Sequence, residues 1–445
     1  MSKVIDFPEG SGVNPWYELS KNKNENFKDV KDIKDSYDYV VVGAGFGGVS
    51  AAFRLVENEP SATVALIDAL PVGCFSSGRN AGFISYAQFA KPLVGRNSFT
   101  VEDQEYLLHL NKIGIDRIEK IRKEHNLDFE WRTDGFYKAV KNLNRVKDLD
   151  ALDKFYDELK VKHEVLGKEE TASRLGTDFY EKSVYVENGI LNNPSEAIRG
   201  LALALPENVD VFENTPVIEV INGSEPAVVI SNGKVIKTKK IILTVNAFIK
   251  AFGLGKITDP VAAIHSFGAM TRELTDEEFE PFKDLKPWGL VGTHPASCTV
   301  RLTPHRRIFV RTDIAFATHL NIDPNRKNKA VTLLRRAFDR RFNSLKDVNF
   351  EYVYGGLISF TGNTRSLFGE VAKNIYAGVT PDGSGVPKAT VLGNYLADLI
   401  QNVDSKELDY IKRTYFPSYL PPEPFRTIGA DIALAYKNFQ AGIEV

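Results

Sequence analysis

The stretch from Tyr37 to Asp68 constrains the fold more than any other part of the sequence. It has the pattern of a buried strand, a glycine-rich turn, a helix and a second strand within about thirty residues, the length of one βαβ unit. Gly43, Gly45 and Gly48 give the turn its G-x-G-x-x-G spacing. Such glycines allow a tight turn, the approach of backbone to a pyrophosphate, and close packing of helix on strand. The N-terminus of the following helix favours negative charge.

Asp68 ends the second predicted strand, Val64 to Ile67. A carboxylate at this place can accept hydrogen bonds from both hydroxyls of an adenosine ribose, and its charge disfavours a 2′-phosphate. The glycine spacing alone would be a weak signal. Together with the two strands, the helix and the acid, it predicts that the chain binds an adenine dinucleotide near its N-terminus.

The composition is that of a globular protein. With 445 residues we expect two domains, or one domain with large insertions. A net charge of -2 gives no electrostatic reason to expect nucleic acid or an anionic membrane as a partner. The seven histidines are scattered, and no His or Cys pair has ligand spacing, so we expect no metal site.

The cysteines and the lengths of the apolar segments indicate the cellular compartment of the protein. Cys74 and Cys298 are far apart, which makes a disulfide framework implausible and favours a reducing compartment. The N-terminus has no apolar signal region, and no run approaches the roughly twenty apolar residues of a membrane span. We therefore expect a cytoplasmic protein without a membrane span, whose residues up to Ser36 form a solvated arm.

Three later segments have the composition of ligand-binding loops. The segment with Ser77, Gly78, Arg79, Asn80 and Gly82 is either an ordinary turn or a place where Arg79 and Asn80 serve a phosphate or a flat polar ring. A buried strand, Lys240 to Thr244, ends in small polar residues, as strands do at the ligand crevice of doubly wound sheets. Near the C-terminus a strand, a glycine loop at 383–385 and a helix follow one another, and the helix N-terminus favours partial negative charge.

The segment from 257 to 310 lacks βα alternation and predicts a separate antiparallel layer. Arg301, Arg307 and Arg311 either bind a carboxylate there or are surface charge. His265 is either a polar group near a ligand or a structural histidine.

The sequence resembles the D-amino-acid oxidase family of FAD-dependent oxidoreductases, and within it the γ-glutamylputrescine oxidase-like branch. The resemblance rests on VVVGAGFGGVSAAFRL with Asp68, SSGRNAGF, VIKTKKIILTVNAF and NIYAGVTPDGSGVPKATVLGNYLADLI, in the family's order. NPWYEL and LPPEPFR agree more weakly.

The resemblance implies non-covalent FAD, because the family's covalent attachment sites, a histidine just after the second strand or a late cysteine, are not matched. It implies that the glycine turn binds the pyrophosphate, Asp68 the ribose and Val217 the adenine. The loop around Arg79 would lie beside the isoalloxazine. The cofactor-binding residues are predicted to be Gly43, Gly45, Phe46, Gly47, Gly48, Asp68, Ala69, Ser76, Ser77, Gly78, Arg79, Asn80, Ala81, Gly82, Val217, Asn246, Ala247, Gly356, Gly383, Ser384, Gly385 and Val386.

The fold class implied is α/β, or α+β overall: a Rossmann-like FAD-binding domain with an inserted antiparallel-sheet substrate domain. The predicted limits are an arm at 1–36, the FAD-binding domain at 37–95, 185–258 and 350–405, and the substrate domain at 96–184 and 259–349. A tail at 406–445 is predicted to pack on the FAD-binding domain.

The function implied is oxidation of a C–N bond in a small-molecule amine or amino acid, with hydride transfer to the flavin and hydrolysis of the imine. His265, Tyr354 and Arg311 are the predicted catalytic residues. The family's usual Trp, Asp and Pro near the flavin are here Tyr354, Asn363 and Ser366. Two alternatives stay open: an NAD(P)H-using flavin hydroxylase, and a flavoprotein partner or maturation subunit that has a protein partner and reduced turnover.

Overall fold

The computed structural model describes residues 2–87, 100–187, 189–318, 320, 322, 324–381, 383 and 385–445. The strands, in chain order, are β1 Ser2–Lys3, β2 Ser36–Val42, β3 Val64–Ile67, β4 Phe83–Ile84, β5 Phe136–Val140, β6 His163–Leu166, β7 Lys182–Val186, β8 Ile190–Leu191, β9 Val209–Phe212, β10 Val217–Ile221, β11 Ala227–Ile230, β12 Val235–Leu243, β13 Ala262–Thr271, β14 Trp288–Gly292, β15 Thr299–Leu302, β16 Ile308–Phe316, β17 Phe350–Phe360, β18 Leu367–Ala372 and β19 Ile375–Val379.

The α-helices are α1 Pro15–Glu18, α2 Phe46–Asn58, α3 Val101–Glu124, α4 Val146–Glu158, α5 Lys168–Leu175, α6 Pro194–Leu203, α7 Asp276–Phe279, α8 Pro324–Arg341, α9 Gly385–Gln401, α10 Lys406–Thr414 and α11 Phe425–Ala441. None of the described helices is long and apolar enough to cross a membrane.

The first sheet has the order β1-β10-β11-β12-β2-β3-β9, with β19 beside β12 and β18 beside β19. Strands β19, β12, β2, β3 and β9 run parallel. Val40, Val41 and Leu66 are buried at its centre, as expected for parallel strands covered on both faces. The predicted βαβ unit is therefore present as β2, α2 and β3, and the predicted α/β fold class is confirmed.

The second sheet has the order β17-β13-β16-β15-β14-β5-β7-β6. Its described pairs are antiparallel except β14 with β5. This is the antiparallel layer that the sequence predicts. Strand β17, whose residues the predicted limits place with the FAD-binding domain, pairs along its length with β13 of this sheet. The division into domains stays a prediction.

The N-terminal arm is not solvated throughout, so that prediction is wrong for its central part. Asn14 and Trp16 are buried. The Asn14 amide donates to the Gly78 carbonyl at 3.1 Å and to Ser195 Oγ at 3.1 Å, while its oxygen caps α1. The polar composition of the arm predicts a solvated loop. The same polar side chains donate hydrogen bonds to buried carbonyl groups of the loop around Gly78.

The C-terminal tail divides between the two sheets. Helix α10 packs on α9 through Leu408 and Ile411. Helix α11 packs through Ala430 and Leu434 on Ile314 of the second sheet. Helix α11 thus packs on the second sheet, and the packing of the tail on the FAD-binding domain stays a prediction, as the domain limits do.

Helices α2 and α9 cover the first sheet and pack very closely against each other. A Cβ placed on Gly393 of α9 would collide with the backbone oxygen of Gly47 in α2. Ser50 completes the contact by donating to the Thr390 carbonyl at 2.8 Å. The α2 N-terminus is thus held in place by backbone packing rather than by long side chains.

We predict that Gly393→Ala lowers stability by about 1–3 kcal/mol, because the added methyl forces α9 away from α2. The measurement is the thermal midpoint of the purified protein. Gly200→Ala in α6 is the matched control, since its Cβ would lie 3.5 Å or more from every neighbour. A midpoint for Gly393→Ala equal to that of Gly200→Ala would contradict the packing described.

Candidate active site

A cavity of about 410 Å³ lies where residues of the first and second sheets face each other. One wall consists of residues from the glycine turn, the 76–81 loop and the start of α9. The opposite wall comes from β13, β15, β16 and β17. The predicted residues that line it are Gly45, Phe46, Gly47, Ser76, Ser77, Arg79, Asn80, Ala81, Asn246, Gly356, Gly383, Gly385, Val386, Tyr354 and Arg311.

The glycine turn forms a cradle without side chains. Gly43 has φ +100°, in the left-handed region that favours glycine. A Cβ on Gly45 would lie 2.5 Å from Ser77 Oγ. Helix α2 begins directly after Gly45, which provides no side-chain cap for the first N–H groups. Uncapped N–H groups at a helix N-terminus fit a phosphate group, so the turn fits the pyrophosphate of a dinucleotide.

Asp68 holds this turn in shape. Its Oδ2 accepts a hydrogen bond from the Ala44 N–H at 2.8 Å, and Oδ1 accepts one from the Leu70 N–H at 3.0 Å. Burial raises the pKa of Asp68 to about 6, although both N–H bonds act in the opposite direction. The carboxylate is half-buried at the end of β3 and is not part of the cavity lining.

Arg79 and Asn80 line the cavity, and both side chains also make hydrogen bonds within the protein. Asn80 bonds within its own loop, to the Ser77 carbonyl and the Gly82 N–H. The Arg79 guanidinium is buried, and it donates at 2.8–3.0 Å to the carbonyl oxygens of Ser11, Gly12, Cys74 and Gly355. Neither glycine spacing nor charge in the sequence indicates this role.

Arg79 thus joins the N-terminal arm, the loop after β3 and strand β17 at one point. Burial lowers the pKa of Arg79, yet an arginine stays charged in proteins. Four carbonyl acceptors offset the cost of burying that charge. The contact of Arg79 with a cofactor stays a prediction.

A row of paired residues crosses the second sheet at the cavity. Gly268 on β13 pairs with Tyr354 on β17 and with Arg311 on β16. Arg311 pairs in turn with Thr299 on β15. Directly paired residues project from the same face of a sheet, and all four residues line the cavity.

Because Gly268 has no side chain, the Phe309 and Tyr354 rings can pack closely over it. A Cβ there would lie 2.9 Å from Phe309 Cε2 and 3.1 Å from Tyr354 Cζ. The Tyr354 ring therefore lies over the position that a side chain would otherwise fill.

Tyr354 is a buried, neutral phenol. Its hydroxyl accepts a hydrogen bond from Trp16 Nε1 at 3.0 Å. Burial raises the pKa of Tyr354 well above its usual value. Since the oxygen accepts from Trp16, the O–H proton is available to a further acceptor. Trp16 therefore supports the Tyr354 hydroxyl at the site, and the NPWYEL resemblance is the only sequence signal for this role.

Arg311 is the cation of this row. Its Nη1 lies 3.4 Å from the Ser297 carbonyl, a long hydrogen bond. Burial lowers the pKa of Arg311 without removing its charge. Within the described part of the chain no carboxylate forms an ion pair with it. A half-buried arginine of this kind has donors left for an anionic ligand.

Two further residues line the cavity that no sequence signal indicated. Ser266 Oγ is buried and has no hydrogen-bond partner among the described residues. Burial, with the nearby charge of Arg145, lowers the pKa of His294 to about 4, so this imidazole is neutral at physiological pH.

The other predicted site residues lie outside the lining. His265 is buried on β13 but does not border the cavity. Ser384 lies outside the described residues. The remaining ones, which support the turn and loops or lie in the first sheet, are Gly43, Gly48, Ala69, Gly78, Gly82, Val217 and Ala247.

A parallel sheet with a glycine cradle at a helix N-terminus, facing an antiparallel sheet across a cavity, is the architecture of a dinucleotide-binding protein. Residues 38–399 match the family of FAD dependent oxidoreductases (DAO). The chain belongs to this family and is an FAD-dependent oxidoreductase.

Known proteins similar to the chain agree with this assignment. The probable oxidoreductase OrdL of Haemophilus influenzae is 23% identical over 451 residues, covering 98% of this chain and 99% of the relative. Glycine oxidase from Geobacillus kaustophilus is 15% identical with a TM-score of 0.69, covering 84% of this chain and 96% of its own. L-Proline dehydrogenase from P. horikoshii is 17% identical with a TM-score of 0.69, covering 85% and 97%.

We predict that Asp68→Asn weakens FAD binding at least tenfold and lowers the thermal midpoint. An asparagine has one oxygen, so it cannot accept from both the Ala44 and Leu70 N–H groups, and its amide nitrogen faces one of them. The measurement is titration of apoprotein with FAD, followed by fluorescence.

Asp38→Asn is the matched control, because Asp38 also accepts backbone and side-chain hydrogen bonds, from Thr63. It should lower stability and leave FAD affinity unchanged. Equal FAD affinity in Asp68→Asn and the unmodified protein would rule out the role given to Asp68.

Proposed function

We propose that this enzyme oxidises the C–N bond of an amino acid, or of an amine that carries a carboxylate. The observation that supports this is Arg311, a half-buried cation with no protein carboxylate partner within the described residues, in the same row of the cavity as Tyr354. A carboxylate is the anion that a guanidinium binds best in planar, paired geometry.

Each residue of the row then has a part in binding. Arg311 would donate to the substrate carboxylate, and the Tyr354 O–H, whose oxygen accepts from Trp16, would donate to it as well. Phe309 and the Tyr354 ring, packed with centroids 6.4 Å apart, form an apolar wall. Gly268 lets both rings pack closely over the sheet, so the substrate would lie on this wall.

The same surroundings favour the reactive form of the amine. A free alkylamine has a pKa near ~10, and only the neutral amine has the lone pair that assists loss of the neighbouring hydride. An apolar wall disfavours the ammonium ion by desolvation. FAD, when bound, accepts the hydride and its two electrons. Water then hydrolyses the imine product.

The residues around the cradle would hold FAD without a covalent bond. The chain continues from β3 as Asp68, Ala69 and Leu70, with no histidine beside the cradle. Burial raises the pKa of the Cys74 thiol, which disfavours the nucleophilic thiolate. Release of the flavin into the supernatant on acid precipitation tests this part of the proposal.

Proteins of similar fold act on substrates of this kind. Solved structures that resemble the chain include the iminodiacetate oxidase from Chelativorans sp. BNC1, which is 16% identical with a TM-score of 0.66. Iminodiacetate carries carboxylates beside an amine nitrogen, as the substrate proposed here does.

The experiment is anaerobic titration of the holoenzyme with amino acids and with the corresponding amines that lack the carboxylate, followed by loss of flavin absorbance. We predict reduction by one or more amino acids. Arg311→Ala should raise the amino-acid concentration for half-maximal reduction about 100-fold, as expected for a desolvated charge-assisted bond. Its effect on the amines should be small.

Arg307→Ala is the matched control, because Arg307 pairs with Glu351 near the surface; it should leave both titrations unchanged. An equal loss for amino acids and amines in Arg311→Ala would exclude a carboxylate anchor. Reduction by NADPH with no reduction by any amine would favour a flavin hydroxylase. A flavin that none of these compounds reduces would favour a partner subunit.

A further inference from the structure

Helix α11 presents two opposite apolar faces. One face, with Ala430, Leu434 and Ala441, packs on the second sheet. The other points to solvent and has large apolar side chains at every turn. Their exposed fractions are 69% for Phe425, 54% for Ile428, 66% for Ile432, 60% for Tyr436 and 82% for Phe439. We call these five residues the α11 stripe.

The α11 stripe is narrow and straight. At 3.6 residues per turn, the other four members lie within about 40° of Ile432 around the helix axis. Gly429 and Ala435 flank it, one on each side, and a Cβ on Gly429 would meet nothing within 4 Å. An apolar seam bordered by small residues allows another helix to approach closely. Single exposed apolar residues need no explanation, but a continuous row marks an interaction surface.

The order of residues in the stripe is symmetric about Ile432. Phe425 and Phe439 each lie seven residues from it, and Ile428 and Tyr436 each lie four residues from it. An antiparallel copy of α11, centred on Ile432, would therefore place Phe425 against Phe439 and Ile428 against Tyr436. Each of these two contacts would occur twice in the dimer, once from each copy. A two-fold symmetric interface requires this self-complementarity.

The charges of the helix agree with that register. Arg426 of one copy would be level with Asn438 of the other, and Lys437 level with Thr427. No cation of one helix is level with a cation of its copy. Antiparallel helices also place opposite dipole ends together.

The exposed area is close to what a dimer needs. With about 200 Å² for each aromatic side chain and somewhat less for isoleucine, the stripe exposes roughly 600 Å². A standard interface buries about 800 Å² per partner, which the flanking residues would supply.

We propose that the chain forms a two-fold symmetric homodimer in which the α11 stripes of two copies pair antiparallel about Ile432. A lipid surface fits less well, because amphipathic membrane helices carry Lys and Arg beside the apolar face, whereas Gly429 and Ala435 stand there in α11. The proposal is independent of the substrate proposed above.

Sedimentation velocity of the holoprotein at ~1–100 µM tests it. The unmodified protein should sediment as a dimer. Ile432→Arg should raise the dimer dissociation constant at least 100-fold. Leu143→Arg, which places the same charge at an exposed leucine elsewhere, should leave it unchanged. Flavin absorbance and circular dichroism should be the same in all three, since both positions are exposed in the single chain.

Charge pairing tests the register itself. Ile428→Glu and Tyr436→Lys should each weaken the homodimer, and mixing the two variants should give a heterodimer through one Glu–Lys contact. The double variant should form a homodimer again through two such contacts.

A monomer at 100 µM would overturn the proposal. So would a dimer that Ile432→Arg does not weaken, or single variants that do not pair when mixed. A monomer that floats with phosphatidylserine vesicles only when Ile432 is intact would overturn it in favour of a lipid surface.

Discussion

The register of β13 between β16 and β17 is the constraint on which the site depends. It brings Tyr354, Gly268 and Arg311 into one row, so that a neutral phenol and a cation face the same cavity from the two strands beside a glycine. A shift of β13 by one residue would turn Gly268 to the other face and place a different side chain between Tyr354 and Arg311. Helix α11 packs on Ile264 and Ile314 of the same strands, which supports the register.

A second requirement is that the two sheets stay in a fixed relation. Arg79 provides it, because its guanidinium bonds carbonyls of the loop after β3, of the arm and of β17 at once. Trp16 extends the link by donating to the Tyr354 hydroxyl. The cofactor cradle and the substrate wall are thus joined through buried polar groups, whose loss would leave carbonyls unsatisfied.

The cofactor half was predictable from the sequence, and most of the substrate half was not. The strand, glycine turn and helix around Gly43 are set by local period and backbone geometry, which neighbouring residues encode. Arg79 illustrates the limit, since its four acceptors come from distant segments. His265 and Arg311 looked alike as polar residues of predicted strands, and only the pairing of strands separates them. The arm looked solvated because its polar composition does not reveal the buried carbonyls that Asn14 satisfies.

The most direct measurement is anaerobic flavin reduction in Gly268→Val. If the Phe309 and Tyr354 rings that pack over Gly268 form the wall on which the substrate lies, this variant should keep its bound FAD, while reduction by the amino acid that reduces the unmodified enzyme slows at least ~10-fold, because a side chain at Gly268 would displace both rings. Reduction at the unmodified rate would contradict the account, because the substrate would then bind elsewhere.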